Sequence, residues 1–456
     1  MAAIPSFDDT PRYLSALDQL LRIPSISGDT ARSGDIRAAA KWLANRLAWA
    51  GGRVVETDGH PIVLGEWLER TGSPTILVYG HYDVQPAGDE GEWDSPPFEP
   101  TVRGGRIYAR GATDDKGPLL VPLVVAAAFL EEDGALPVNV RFLIEGEEEI
   151  GSRSLAAFLR AHRTELAADL VVSADGAMWR PSEPSIPIAS KGLITLDLSV
   201  TGPVSDLHSG RHGGAVQNPL HALALILASL HDADGRVAVP GFYDDVLPLT
   251  VDEREALAQV PFDEEVYRRE AGVSALHGEP GFTTLERLWT RPTLEVNGVS
   301  GGGWFTVIPR IARARLSCRL VPDQQPEAIF AAIRRHVLAS SPSGVELSVD
   351  LEPGAVRAYS IPPDHPGVQA ALVALHNVYP DTEPLLVRIG GTLPAATLFE
   401  EILGVKTLLF SFSTADENLH APNEFFRLDR MHDGMRAWAE LWLVLDGIAE
   451  SGSIVR

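Results

Sequence analysis

Through its first 190 residues the chain repeats one pattern: a short apolar run, a polar loop, then a segment with helical spacing. TILVY (75–79), VNVRFLI (138–144) and DLVVS (169–173) are short and β-branched, and they read as buried strands. RVVETD and IVLGEWL supply two further strands. Between them, Ile36, Ala39, Leu43 and Leu47 recur at helical spacing within Asp29–Ala50, which Gly51 and Gly52 terminate. A second helix is expected over about Ser152–His162. This alternation predicts an α/β fold, a largely parallel or mixed sheet covered by helices on both faces.

The pattern changes near Lys191. GLITLDLSVTG puts Ile194, Leu196, Leu198 and Val200 on one face and Thr195, Asp197 and Ser199 on the other. IARARLSCRL and VELSVDL alternate in the same way, as half-buried antiparallel strands with one wet face do. Helices near Asn218–Leu230 and Pro326–Leu338 would cover the dry face. Arg313, Arg315 and Arg319 are read as solvating the wet one. After Pro362 the α/β pattern returns, with a helix over Pro366–Val378, a turn at Ile389-Gly390-Gly391-Thr392, a strand VKTLLF and a helix starting near Asp429. The expected organisation is two domains: residues 1–190 with 361–456, and an inserted α+β domain over 191–360. The stretch Val239–Thr293, rich in proline and acidic residues, reads as an elaboration of the insert.

At 456 residues, two domains also suit the length. A net charge of −24 argues against nucleic acid or an anionic membrane as the main partner. The single cysteine, Cys318, excludes an internal disulfide and a thiolate zinc cluster, and its place in an alternating strand makes it a core residue. MAAIPSFDDTPRYL has no basic segment followed by an apolar core, and no apolar run approaches the ~20 residues that span a bilayer. A cytoplasmic protein is expected.

Chemistry concentrates at the ends of the predicted strands. RGATDDKGP (110–118) sets two carboxylates, Asp114 and Asp115, before a long apolar run, so negative charge would lie beside backbone N–H groups at a helix start. His81 and Asp83 end the 75–79 strand, Glu148 and Glu149 follow the 138–144 strand, Asp175 follows DLVVS, and His420 lies in the loop after VKTLLF. In an open α/β sheet, residues beyond the carboxyl ends of the strands share one crevice. Two imidazoles and several carboxylates gathered there suit zinc, manganese or cobalt, and exceed the needs of one tetrahedral ion. Singly, each has a plainer reading: a polar histidine after a strand, a solvated glutamate run, or an aspartate N-cap.

GHYDVQPAG, RGATDDKGP, EGEEEIGS, SDLHSGRHGG, TVIPRIARARLSCRLVP and ENLHAPNE, in this order, resemble the M20 metallopeptidases, above all their dipeptidase branch. The resemblance implies an aminopeptidase-like α/β catalytic domain, split in sequence, with an inserted lid and dimerisation domain. It implies two divalent ions, zinc or manganese, bridged by Asp114. His81 and Asp175 would complete one site, Glu149 and His420 the other. Glu148 would be the general base, deprotonating a water shared by the ions. The Glu147–Glu149 run leaves a register choice, settled by placing the family pair just before Ile150-Gly151-Ser152. Asp83 would orient His81, and His208, supplied by a second subunit in dimeric members, would reach the substrate carbonyl. Arg310, Arg388, Gly391, Thr392 and Asn297 resemble substrate-binding positions. Ile389, where many relatives have an acidic residue, and Thr392, in place of a common serine, depart from the pattern.

The expected activity is hydrolysis of dipeptides or short peptides with a free C-terminal carboxylate. An N-acyl amino acid amidohydrolase would use the same ions and base. A binding protein without catalysis would have no use for Glu148. A homodimer through the insert is expected because an edge strand there needs covering.

Overall fold

The computed structural model describes residues 4–5, 10–303 and 305–450. Half of the N-terminal stretch read for a leader, residues 1–3 and 6–9, lies outside them. The chain divides into two compact units: Met1–Ile188 with Ile361–Val387 and Pro394–Arg456, and Ala189–Ser360 with Arg388–Leu393.

The first unit is built on a six-stranded sheet. Its order is Arg53–Val55, Ile62–Trp67, Asn139–Glu145, Thr75–His81, Leu170–Ser173 and Thr407–Leu409. The last four run parallel to one another, while the first two add antiparallel at one edge. The apolar runs that read as strands are buried nearly throughout, as in a sheet covered on both faces. Leu77, Tyr79 and Leu143 pack with Leu155, Phe158 and Phe399 in one core cluster. Each such side chain contributes roughly 1.5–3 kcal/mol by leaving water.

One helix start and one helix cap differ from the sequence reading. The segment expected as one helix from Asp29 begins with a 3₁₀ turn, Thr30–Arg32, whose Ala31 N–H is capped by the Asp29 carboxylate, and the α-helix proper is Ser33–Arg46. Helix Lys116–Glu132, buried along most of its length, starts one residue after Asp115, and the Asp115 side chain does not cap it. Asp115 instead accepts the His81 backbone N–H at 3.1 Å. Gly80 leaves room for this: a Cβ there would lie 2.6 Å from Asp115 Oδ2 and 2.8 Å from Leu119 Cδ1.

The second unit carries an antiparallel sheet of order Thr293–Gly301, Ile311–Leu320, Gly192–Thr201 and Glu346–Leu351. The alternation in Gly192–Thr201 buries Ile194, Leu196, Leu198 and Val200 against helices Pro219–Ala228 and Pro326–Ala339. Cys318 is a free thiol in this core, and burial pushes its pKa far up. The 239–293 stretch contains three short helices, Val251–Gln259, Glu264–Glu270 and Thr284–Thr290, joined by irregular segments. Among the described residues no helix is long and apolar enough to cross a membrane.

Candidate metal centre

Because four neighbouring strands of the first unit run the same way, their carboxyl ends share one edge. His81 ends the Thr75–His81 strand. Glu148 and Glu149 form a 3₁₀ turn just after Asn139–Glu145, Asp175 lies two residues beyond Leu170–Ser173, and His420 follows Thr407–Leu409 in the next loop. Asp114 enters from the loop before helix Lys116–Glu132.

Asp114 stands between the two imidazoles. Its Oδ1 lies 3.0 Å from His81 Nε2 and its Oδ2 2.9 Å from His420 Nε2. His420 Nε2 is also 3.1 Å from Glu149 Oε2. Two groups of possible ligands result, His81 with Asp114 and Asp175, and Asp114 with Glu149 and His420. Within each, the ligand atoms all lie within 4.8 Å of one another. His420 reaches this position from a left-handed backbone conformation, φ 58°, unusual for a residue other than glycine.

The supporting shell is specific. His81 Nδ1 lies 3.1 Å from the Asp83 carbonyl oxygen and 3.4 Å from its carboxylate, which fixes the ring so that Nε2 faces Asp114. The Asp83 carboxylate also accepts the backbone N–H groups of Glu148 (3.2 Å) and Glu149 (3.0 Å). One buried aspartate therefore orients an imidazole and the turn carrying both glutamates. Gln85 Nε2 donates to Glu149 Oε2 at 3.0 Å.

The electrostatics call for positive charge. Burial opposes ionisation of Asp114, but hydrogen bonds from His420 and His81 outweigh it and hold the carboxyl well below its usual range. Burial also disfavours a charged His81, yet its bonds to Asp114 and Asp83 raise it well above the usual imidazole value. Hydrogen bonds to Asp114 and Glu149 push His420 up to about 10. Burial pushes Asp175 up to about 6 against the pull of His81, and it drives Glu148 well up as well, with Asp175, Asp114 and Glu149 adding to the effect. Asp114, Glu148, Glu149 and Asp175 hold four negative charges when ionised, which two divalent ions would neutralise. The nitrogen and oxygen donors fit zinc or manganese, so the residues present suit a metal pair.

Sequence reasoning gave no role to Glu424, the last residue of ENLHAPNE. Its buried carboxylate accepts N–H groups of Gly111 (3.0 Å), Thr113 (3.0 Å) and Asp114 (3.2 Å), and the guanidinium of Arg110 at 2.7 Å. Glu417 takes the hydroxyl of Thr113 and pairs with Arg427 at 3.0 Å. Two glutamates from the His420 loop thus hold the Asp114 loop. An acidic residue on each side of a metal-type histidine was the available signal.

The other expected site residues belong to the second unit. His208 is exposed, with Nδ1 accepting the Gly210 N–H at 3.1 Å. Arg310 lines a concavity of about 640 Å³ with Thr201, Gly202 and Val204, and Asp206 accepts its backbone N–H at 2.8 Å. Asn297 sits at the bulge of the Thr293–Gly301 strand. The Arg388 guanidinium pairs with Glu253 at 2.7 Å, a partner the sequence did not indicate. Gly391 accepts the Lys191 backbone N–H at 2.9 Å. Thr392 Oγ1 accepts from Arg319 at 2.7 Å, so Arg319, expected to solvate a sheet face, is half-buried instead.

Residues 77–444 match peptidase family M20/M25/M40. The chain is 31% identical over 448 residues to the Cys-Gly metallodipeptidase dug1 of Schizosaccharomyces pombe, covering 93% of each. It is 32% identical over 451 residues to the Beta-Ala-His dipeptidase of Homo sapiens, covering 96% of this chain and 87% of that one. The solved M20 family metallo-carboxypeptidase Sso-CP2 from Sulfolobus solfataricus matches with a TM-score of 0.83 at 32% identity, over 95% and 99% of the two chains. Dug1p from Saccharomyces cerevisiae matches with a TM-score of 0.79 at 28% identity, over 96% of each. The matches run nearly end to end and share the two-domain architecture. The chain belongs to peptidase family M20/M25/M40 and is a metal-dependent peptidase of its dipeptidase branch.

Proposed function

We propose that the chain hydrolyses the peptide bond of dipeptides or short peptides bearing a free C-terminal carboxylate. The observation that carries this reading is the pair of ligand groups sharing Asp114. His81 and Asp175 would hold one ion, Glu149 and His420 the other, and zinc or manganese fits both. The bound ions supply Lewis acidity, lowering the pKa of water from ~15.7 toward neutrality and polarising the amide carbonyl.

The chain's own residues do the rest. Glu148 takes the proton of the attacking water and delivers it to the leaving amine. Its burial among carboxylates raises its proton affinity, which suits a group that must first accept and then release a proton. Asp83 keeps His81 and the Glu148–Glu149 turn in register. His208 stabilises the developing oxyanion, from a second copy of the chain if the enzyme is a homodimer. The exposed edge strand Thr293–Gly301, with Val296 and Val299 outward, favours such a dimer through the second unit, the lid. Arg310 clamps the substrate carboxylate, and Arg388, Asn297, Gly391 and Thr392 shape the remainder of the subsite.

Relatives named as dipeptidases at 31–32% identity favour this activity over N-acyl amino acid hydrolysis. The test is a substrate panel of dipeptides, tripeptides and N-acetyl amino acids with the zinc and manganese enzymes. Turnover confined to N-acetyl amino acids would replace the proposal with the amidohydrolase reading.

A further inference from the structure

The second unit holds a cavity of about 710 Å³ between its 239–293 stretch and the base of the sheet, and its charge is opposite to that of the chain. Lys191, Arg287, Arg291 and Arg319 line it, against the carboxylates of Glu279 and Glu295. Arg291 and Glu279 cancel, through bonds of 2.7 and 2.9 Å. The other three cations point to neutral partners. Lys191 Nζ donates to the Arg287 carbonyl at 3.3 Å, Arg287 Nη2 to the Thr284 hydroxyl at 3.1 Å, and Arg319 Nη1 to the Thr392 hydroxyl at 2.7 Å. Nearby Glu264 is already engaged by the N–H (3.2 Å) and O–H (2.5 Å) of Thr284.

Two further observations indicate an absent counter-charge. Lys191 is 3% exposed, an extreme burial for an ammonium with one long hydrogen bond. The buried Nε of Arg287 has no hydrogen-bond partner among the described residues. Buried cations and orphan N–H donors are costly unless paired. Burial, with Arg319 and Arg291 adding repulsion that Glu295 offsets only in part, brings Lys191 down to about 8, so a bound anion would restore its full charge. Tyr243, Leu288 and Leu294 give the same cavity apolar walls.

We propose that this cavity binds a small organic anion, a carboxylate or phosphate head on an apolar body, held by Lys191, Arg287 and Arg319. The cavity adjoins the proposed peptidase subsite through the Arg319–Thr392 bond, but none of the residues assigned to the metal centre or the peptide substrate lines it. Calorimetric titration of the metal-loaded enzyme with phenylacetate and with phenyl phosphate tests the proposal, and the stronger of the two identifies the head group. The expected result is saturable binding that weakens about tenfold or more in Lys191→Met and in Arg287→Gln. Arg287 is only half-buried, so Arg287→Gln decides the matter if Lys191→Met fails to fold, folding being checked by the melting transition. No binding of either probe up to about 10 mM overturns the proposal. Binding of equal strength in the parent and the folded variants also overturns it, because the probe then sits elsewhere, as on the metal ions.

Discussion

His420 Nε2 lies 2.9 Å from Asp114 Oδ2 although the two residues stand 306 positions apart in the chain. The contact joins a loop after the last parallel strand to the loop before the buried helix, and further bonds from the same loops, through Glu424 and Glu417, keep it in register. The Asp114–Glu149–His420 group depends on this meeting of distant loops.

Glu148→Gln removes the proposed base and keeps the size of the side chain. The expected outcome is a fall in kcat of about 10²–10⁴-fold with metal content and KM nearly unchanged. Steady-state kinetics beside elemental analysis measures both. Undiminished kcat with both ions bound would assign the proton transfer to another group.

Metal binding should release protons. The folded, metal-free chain raises His420 to about 10, above the ordinary imidazole value of 6.5. Its ion pair therefore contributes to metal-free stability in full below about pH 6.5, and that contribution fades as pH rises through about 10. A metal ion must displace this proton, so affinity should increase with pH across the neutral range. Calorimetry at pH 7 in buffers of differing ionisation enthalpy should report net proton release. A heat independent of buffer would contradict the protonated His420.

Glu424→Gln should leave the Arg110 guanidinium buried without its carboxylate and loosen the Asp114 loop. The expected destabilisation is about 3–5 kcal/mol, accompanied by weaker metal binding. Thermal melts with and without metal separate the two effects. A melting temperature and metal affinity equal to those of the parent would show that the loop holds its place without Glu424.

Arg310→Ala should raise KM for dipeptides by roughly tenfold to a hundredfold, the loss of about 1.5–3 kcal/mol of charge-assisted hydrogen bonding. The matching dipeptide amides, which lack the carboxylate, should be poor substrates of the parent and change little in the variant. An equal effect on acids and amides would argue that Arg310 supports the strand rather than the substrate.

Much of this centre was legible because a strand's carboxyl end is a fixed address. His81, Asp175 and the glutamate pair each follow an apolar run short enough to read, and parallel order brings them together. The Glu148/Glu149 register was not readable from spacing, since any of three adjacent glutamates could point inward. Resemblance supplied it, and Glu149 is the one near His420. The role of Glu424 stayed hidden because its partners are backbone N–H groups of a distant loop, which leave no side-chain pattern. The same holds for Arg388–Leu393, six residues that fold with the second unit amid a stretch that otherwise belongs to the first. Arg319 misled for a different reason: strand alternation assigns a face but says nothing about a neighbouring turn, here Thr392, that covers it.

The most direct test counts ions. Reconstituted with excess zinc or manganese and then desalted, the chain should retain about two per molecule. His420→Ala should retain about one, and Asp114→Asn, which removes the shared ligand, neither firmly. A parent enzyme that keeps a single ion, or an Asp114→Asn variant that keeps two, would contradict a centre built across Asp114.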